Sequence, residues 1–293
     1  MSSIIEEDSA ALDKAAGARD CVTIRGVTLP LDGLVQPERL LPASVSALKQ
    51  AFAGAEPFAH LVVDGLFDAR LLELVAEEFD LLEASRWRRS QDGLHEVTLR
   101  SLPSTRLGRA AELYFATLHS GWFVDFLQQV TGVDRLIADP ALWNGGFHEA
   151  RNGGRFRIHT DFNKHAHTGL DNEMVLITYL NRDWNAEWGG ALELWRAKPR
   201  ECVRRIEPAF GRTVLMRHSD VSFHGHPVPL AMPPGQVRRS VAAYFYSNRA
   251  DQRGVAPHAS RYMDSSVLRW MRIAGREVVP PVVWKAAKKL VRR

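Results

Sequence analysis

The chain has 293 residues, 45% of them hydrophobic and 25% charged, with a formal net charge of +4. That balance gives an ordinary soluble globular protein with enough length for a full core, and one domain with helical decoration fits it better than two independent domains. Two cysteines, Cys21 and Cys202, allow at most one disulfide, too few for a secreted scaffold, so a reducing cytoplasm is the expected compartment. The start, Met1 to Asp8, is acidic and has no basic, apolar leader, and no run approaches the eighteen apolar residues that a membrane span needs.

In chain order, residues 1–20 are polar and Ala-rich and read as a frayed leader. Residues 21–135 read as a support region of strand and helices. Within it, Val45, Leu48 and Phe52 fall at helical spacing, and Phe58 to Gly65 reads as a strand closed by a turn. The run Phe67 to Phe79 places Leu71, Leu72, Val75 and Phe79 on one stripe of an amphipathic helix. Ser85 to Pro103 is irregular and reads as short strands and loops. Two further helices are expected at Leu107–Leu118 and Trp122–Val130, the second closed by Thr131-Gly132. From Leu136 the period shifts toward two. Asn144-Gly145-Gly146 and Asn152-Gly153-Gly154 mark turns around a short strand, and strands recur at His159, Met174–Leu180, Ala191–Trp195, Arg212–His218 and Ser240–Tyr246. Many short strands with Gly-rich turns indicate a sandwich or jelly roll over residues 136–250. Residues 251–293 read as a helical, basic tail with helices at Val267–Ile273 and Trp284–Arg293.

The chemistry gathers around Phe156-Arg157-Ile158-His159-Thr160-Asp161-Phe162-Asn163. A His and an Asp two residues apart at a strand end point to one face. A third ligand is available in Ser222-Phe223-His224-Gly225-His226-Pro227, where either His224 or His226 satisfies the period. Two His and one carboxylate on one face of a metal, with the other face open, suit non-haem Fe(II). The bland alternative is a buried His bonded to its neighbouring Asp. Downstream, Arg238 and Ser240 share a strand face while Arg239 points away, so Arg238 is placed to grip a carboxylate in a two-bond fork with Ser240 beside it.

The ordered set HxDxN, YLNxDW (Tyr179 to Trp184), GGxLELW (Gly189 to Trp195), SxHGHP and RxS resembles the 2-oxoglutarate- and Fe(II)-dependent oxygenases, in particular the prolyl 4-hydroxylase-like branch, over roughly Leu136 to Ser247. The resemblance implies a double-stranded β-helix with buttressing N-terminal helices. It also implies Fe(II), 2-oxoglutarate and O2 as cofactor and co-substrates, with ascorbate as a further candidate. His159, Asp161 and His224 would hold the metal, the Ser222-Phe223-His224 frame with Pro227 and Pro229 after it favouring His224, and His226 would stand behind it or face substrate. Arg238, Ser240 and Tyr179 would bind 2-oxoglutarate, with Leu192 and Ala242 as packing in the same pocket. Because Asp161 is present, where related halogenases carry a small residue to admit chloride, the resemblance implies hydroxylation or desaturation.

The expected substrate is a small molecule or a carrier-linked metabolite. Peptidyl prolyl hydroxylation is the alternative enzyme reading, and a non-catalytic metal- or sugar-binding jelly roll is the alternative of another class. Nucleic acid is not an expected partner, since no basic patch interleaved with aromatics stands out. Asn163, His165 and His167 lie in a polar loop that would overhang the open metal face, or be a mobile solvated loop. The basic tail, Val283 to Arg293, offers weak contact with an anionic membrane surface.

Overall fold

The computed structural model describes residues 20–90, 95–249 and 254–263. The leader at 1–19 and the two tail helices, with their membrane-surface reading, lie outside the described residues.

The chain opens with a hairpin, β1 (Cys21–Ile24) and β2 (Val27–Pro30), which the sequence reading did not separate from the support region. Helix α1 (Pro42–Ala53) precedes β3 (His60–Asp64), and helix α2 (Ala69–Glu78) follows it. Asp68 caps α2, its carboxylate accepting from the backbone N–H groups of Arg70 and Leu71. Strands β4 (Trp87–Ser90) and β5 (Glu96–Ser101) come next, then helices α3 (Arg109–His119) and α4 (Gly121–Thr131). Buried Phe123, Phe126, Leu127 and Val130 give α4 one apolar stripe, and Gly132 ends it in the left-handed conformation with φ 69.

The rest is almost all strand: β6 (Ile137–Ala138), β7 (Gly146–Ala150), β8 (Arg155–Thr160), β9 (Asp171–Tyr179), β10 (Leu192–Arg196), β11 (Glu201–Ile206), β12 (Arg212–Arg217), β13 (Phe223–His226), β14 (Arg238–Ser247) and β15 (Arg261–Tyr262). Every ladder between these strands is antiparallel. One layer runs β7-β14-β9-β12-β3 and the other β11-β10-β13-β8, with β5 joining them by pairing both β7 and β8. This curled two-layer sheet is a double-stranded β-helix. Two elements expected to be peripheral are part of it. β5 is the hinge strand between the layers, and Arg261–Tyr262, assigned from sequence to a helical tail, adds a strand to β8.

Alternation along two central strands divides the core. Met174, Leu176 and Leu180 from β9 and the turn after it, and Val241, Ala243 and Phe245 from β14, face the helices. Val175, Tyr179, Ala242, Tyr244 and Tyr246 face inward, against Leu192, Leu194 and Met216. Burying each Val, Leu, Met or Phe among them is worth about 1.5–3 kcal/mol. The period of two therefore places apolar residues on both faces of one layer, as a sheet covered on both sides requires.

One polar device fixes the helical layer. Buried Glu78, at the end of α2, accepts from the N–H groups of Ala110 (2.9 Å) and Ala111 (2.8 Å) at the start of α3. Gly108 makes room for it, because a Cβ there would sit 2.0 Å from the Glu78 carboxyl carbon. Glu78→Ala should lower the unfolding free energy by about 1.5–3 kcal/mol, since it strands two buried donors that now bond a charge. A denaturant midpoint unchanged from wild type would show that the cap carries no stability.

Candidate metal centre and co-substrate cavity

His159 is the next-to-last residue of strand β8, which ends at Thr160, and Asp161 follows one residue past its last position. Strand β13 lies beside β8 with His224 opposite His159, and a register shift falls between His224 and His226. Ligand atoms of His159, Asp161 and His224 all lie within 4.8 Å of one another. The shift separates the two candidate histidines. His224 comes to the cluster, while His226 pairs with Phe156 and lines a cavity deeper in the fold.

The hydrogen bonds at the far side of each ring decide what the near side offers. His159 Nδ1 lies 2.7 Å from the Arg157 carbonyl and His224 Nδ1 lies 3.0 Å from the Ser222 carbonyl. A carbonyl oxygen only accepts, so each Nδ1 carries a proton, and a neutral ring held in this way turns an Nε2 lone pair toward the cluster. Burial, offset in part by Asp161, pushes the His224 pKa down to about 4, so this ring is neutral at pH 7.

Those lone pairs meet a carboxylate. His159 Nε2 is 3.3 Å from Asp161 Oδ1 and His224 Nε2 is 3.6 Å from Oδ2. Acceptors facing acceptors in a buried place repel unless a cation lies between them. His159 Nε2 is buried and has no hydrogen-bond partner. The donor set therefore fits a divalent metal, with one face closed by protein and the other toward a cleft.

Three further groups at this centre were not singled out in the sequence. His218, just after β12, places Nε2 3.1 Å from Asp161 Oδ2, and Tyr244 donates its hydroxyl to the same oxygen at 3.3 Å. Burial and the neighbouring carboxylate push the Tyr244 pKa well up, so the phenol stays a donor. Phe156 stacks on the His159 ring with centroids 3.8 Å apart. Tyr244 was within reach of the strand alternation, being on the same face of β14 as Arg238. His218 had no local signal.

A cavity runs inward from Asp161 and His224 between the two layers. Tyr179, Arg238, Ser240, His226, Leu192 and Ala242 line it. Arg238 is only 7% exposed. Its Nε donates to the Gly190 carbonyl at 2.8 Å, and its Nη2 donates to the Tyr179 hydroxyl at 3.4 Å. Gly190 is required here, since its φ of +73 and a Cβ position 3.1 Å from the Arg238 side chain leave no room for another residue. Among the described residues no carboxylate pairs with Arg238. A buried guanidinium without an anion is costly, so the cavity fits a carboxylate ligand. Arg239 points the other way, to Glu149 at 3.1 Å and to Asp80.

The loop after Asp161 differs from a solvated flap. Asn163 Nδ2 donates to the Ala256 carbonyl at 3.0 Å, and its Oδ1 accepts from the His258 N–H at 2.7 Å, so Asn163 ties down the segment leading to β15. His165 is buried, and its Nδ1 accepts from the backbone of His167 and Thr168. His167 packs edge-on against Trp143.

Residues 145–246 match the family model described as the 2OG-Fe(II) oxygenase superfamily. This region belongs to the 2OG-Fe(II) oxygenase superfamily. The enzyme is a non-haem iron dioxygenase that uses Fe(II), 2-oxoglutarate and O2. Its backbone is similar to that of a prolyl hydroxylase from Trichoplax adhaerens in complex with a hypoxia-inducible factor peptide fragment. The TM-score is 0.53 at 14% identity, with 74% of this chain and 96% of that chain covered. A Pseudomonas putida prolyl-4-hydroxylase matches at TM-score 0.49 and 16% identity, covering 70% of the oxygenase and all (100%) of that chain. HygX from Streptomyces hygroscopicus, with nickel, 2-oxoglutarate and hygromycin B bound, matches at 0.46 and 14%, covering 70% and 94%. No curated protein sequence matches. Among the described residues no helix is long and apolar enough to cross a membrane.

His224→Ala should lose metal binding, measured by Fe(II) titration under anaerobic conditions, whereas His226→Ala should keep it. Metal retained by His224→Ala and lost by His226→Ala would reverse the assignment. At the other end of the cavity, Arg238→Lys keeps the charge but loses the fork. It should weaken 2-oxoglutarate binding by roughly ten- to a hundred-fold, the equivalent of about 1.5–3 kcal/mol. Arg239→Lys should leave that affinity unchanged and act on stability through Asp80 and Glu149. Equal losses of 2-oxoglutarate affinity in the two variants would contradict the strand phase.

Proposed function

We propose that this oxygenase hydroxylates an unactivated C–H bond of a small molecule or a carrier-linked metabolite. The balanced reaction takes R–H, 2-oxoglutarate and O2 to R–OH, succinate and CO2. In this reading His159, Asp161 and His224 hold the iron, and Arg238 with Tyr179 and Ser240 holds the far carboxylate of 2-oxoglutarate. Bound together, Fe(II) and 2-oxoglutarate supply the oxidising power that C–H cleavage needs.

The observation that carries this reading is the complete charge pairing the two sites call for. A carboxylate and two lone pairs await a cation at one end, and an unpaired buried guanidinium awaits an anion at the other. Within it, Asp161 occupies by its own side chain the seat that a halide would need, which supports hydroxylation. Tyr244 and His218 orient that carboxylate, much as outer hydrogen bonds orient metal ligands elsewhere. Leu192, Val175 and Ala242 give part of the inner cavity an apolar wall.

The reacting face opens on a second cleft, lined in part by Asp161, Phe156, Phe162, Trp143, Pro257 and Tyr262. Its aromatic walls suit a compact ligand. Purified protein given Fe(II), 2-oxoglutarate and candidate metabolites should yield succinate in step with a product one oxygen heavier by mass spectrometry. Stimulation by proline-containing peptides, with metabolites inert, would replace this reading by peptidyl prolyl hydroxylation.

A further inference from the structure

The walls of the cleft carry more charge than the metal centre uses. Strands β4 and β5 pair so that Arg88 lies directly opposite Arg100. Like charges at directly opposed positions destabilise a strand pair unless something compensates them. Among the described residues the carboxylate bonded to this pair is Glu96, which accepts from Arg100 Nη2 at 2.6 Å and from the Thr98 hydroxyl. Arg88, exposed at the cleft mouth, has one neutral partner, Asn144 Oδ1 at 3.0 Å. Arg100 has its guanidinium over the Phe156 ring at 5.3 Å, and its Nε is buried without a partner.

Nearby charges do not cancel this excess. Lys164 is held by Asp171 at 2.6 Å, and Asp161 serves the metal position. Burial and then Arg100 lower the Arg88 pKa, an independent sign that the two guanidiniums repel. Arg88, Arg100 and Asp161 all line the same cleft, with Arg100 between its mouth and the inner cavity.

Resting on the oxygenase reading above, we propose that the substrate carries an oxyanion, a carboxylate or a phosphate, which Arg88 and Arg100 grip at the cleft mouth. The aromatic walls then receive the less polar remainder, with Phe156 leading from Arg100 to His159. The anion acts as a fixed point that sets which carbon of the substrate reaches the metal, so the two arginines are specificity-determining residues. Arg100 is the poorer residue to substitute, because its loss leaves Glu96 buried without its cation.

The test uses the full chain loaded with Mn(II) and 2-oxoglutarate under calorimetric titration with inorganic phosphate and, separately, with acetate. Wild type should bind at least one of the two. Arg88→Gln should weaken that binding about tenfold or more, equivalent to about 1.4 kcal/mol. Arg89→Gln, on the opposite face of the same strand, should leave it unchanged, and 2-oxoglutarate affinity should be equal in all three proteins. Preference for phosphate would indicate a phosphorylated substrate, and preference for acetate a carboxylate, and either supports the inference. It is overturned if wild type binds neither anion, if the two variants behave alike, or if Arg88→Gln weakens 2-oxoglutarate as much as the probe. Those failures, with 2-oxoglutarate still bound by wild type, leave the oxygenase reading standing. Failure of wild type to bind 2-oxoglutarate removes both.

Discussion

Strand β14 runs between β7 and β9, and the alternation of its side chains sends two adjacent arginines to opposite sides of one layer. Inward go Arg238, Ser240, Ala242 and Tyr244, which together line the inner cavity and reach Asp161. Outward go Arg239, Val241, Ala243 and Phe245, which meet α2 and the rest of the helical layer. A slip of one residue would bury Arg239 in the cavity and put Arg238 against the helices. The apolar set on each face makes that slip expensive, so the helical core and the co-substrate cavity enforce the same register.

Much of this was legible in the chain because it is local. Period two in β9 and β14, the Gly-rich turns around β7 and the HxD spacing all act over a few residues, where geometry follows directly from sequence. The stripe of α2 and the Gly132 stop of α4 are of the same kind. What stayed hidden depends on contacts between distant segments. His218 lies beside Asp161 only because the fold brings the end of β12 to the end of β8, and nothing next to His218 in the chain says so. Glu96 and Arg100 looked like part of an irregular stretch, yet β5 closes the gap between the two layers and carries both to the metal's side. Arg261 and Tyr262 seemed to start a helical tail because their strand character comes from pairing with β8 and not from their own propensity. His224 and His226 could not be told apart by period, and it is the register shift on β13, opposite β8, that separates them.

The buried charges also order the way the site fills. Without ligands, Asp161 confronts two nitrogen lone pairs and Arg238 has no anion, and both arrangements lower the stability of the folded chain. A cation at the first place would relieve the repulsion there, and an anion at the second would pair Arg238, leaving Arg88 and Arg100 beside Glu96 as charge at the outer cleft. Any ligand that binds the folded form alone adds stability as RT ln(1 + [L]/Kd). The same groups that weaken the ligand-free fold are therefore the ones through which a cation and an anion would stabilise it.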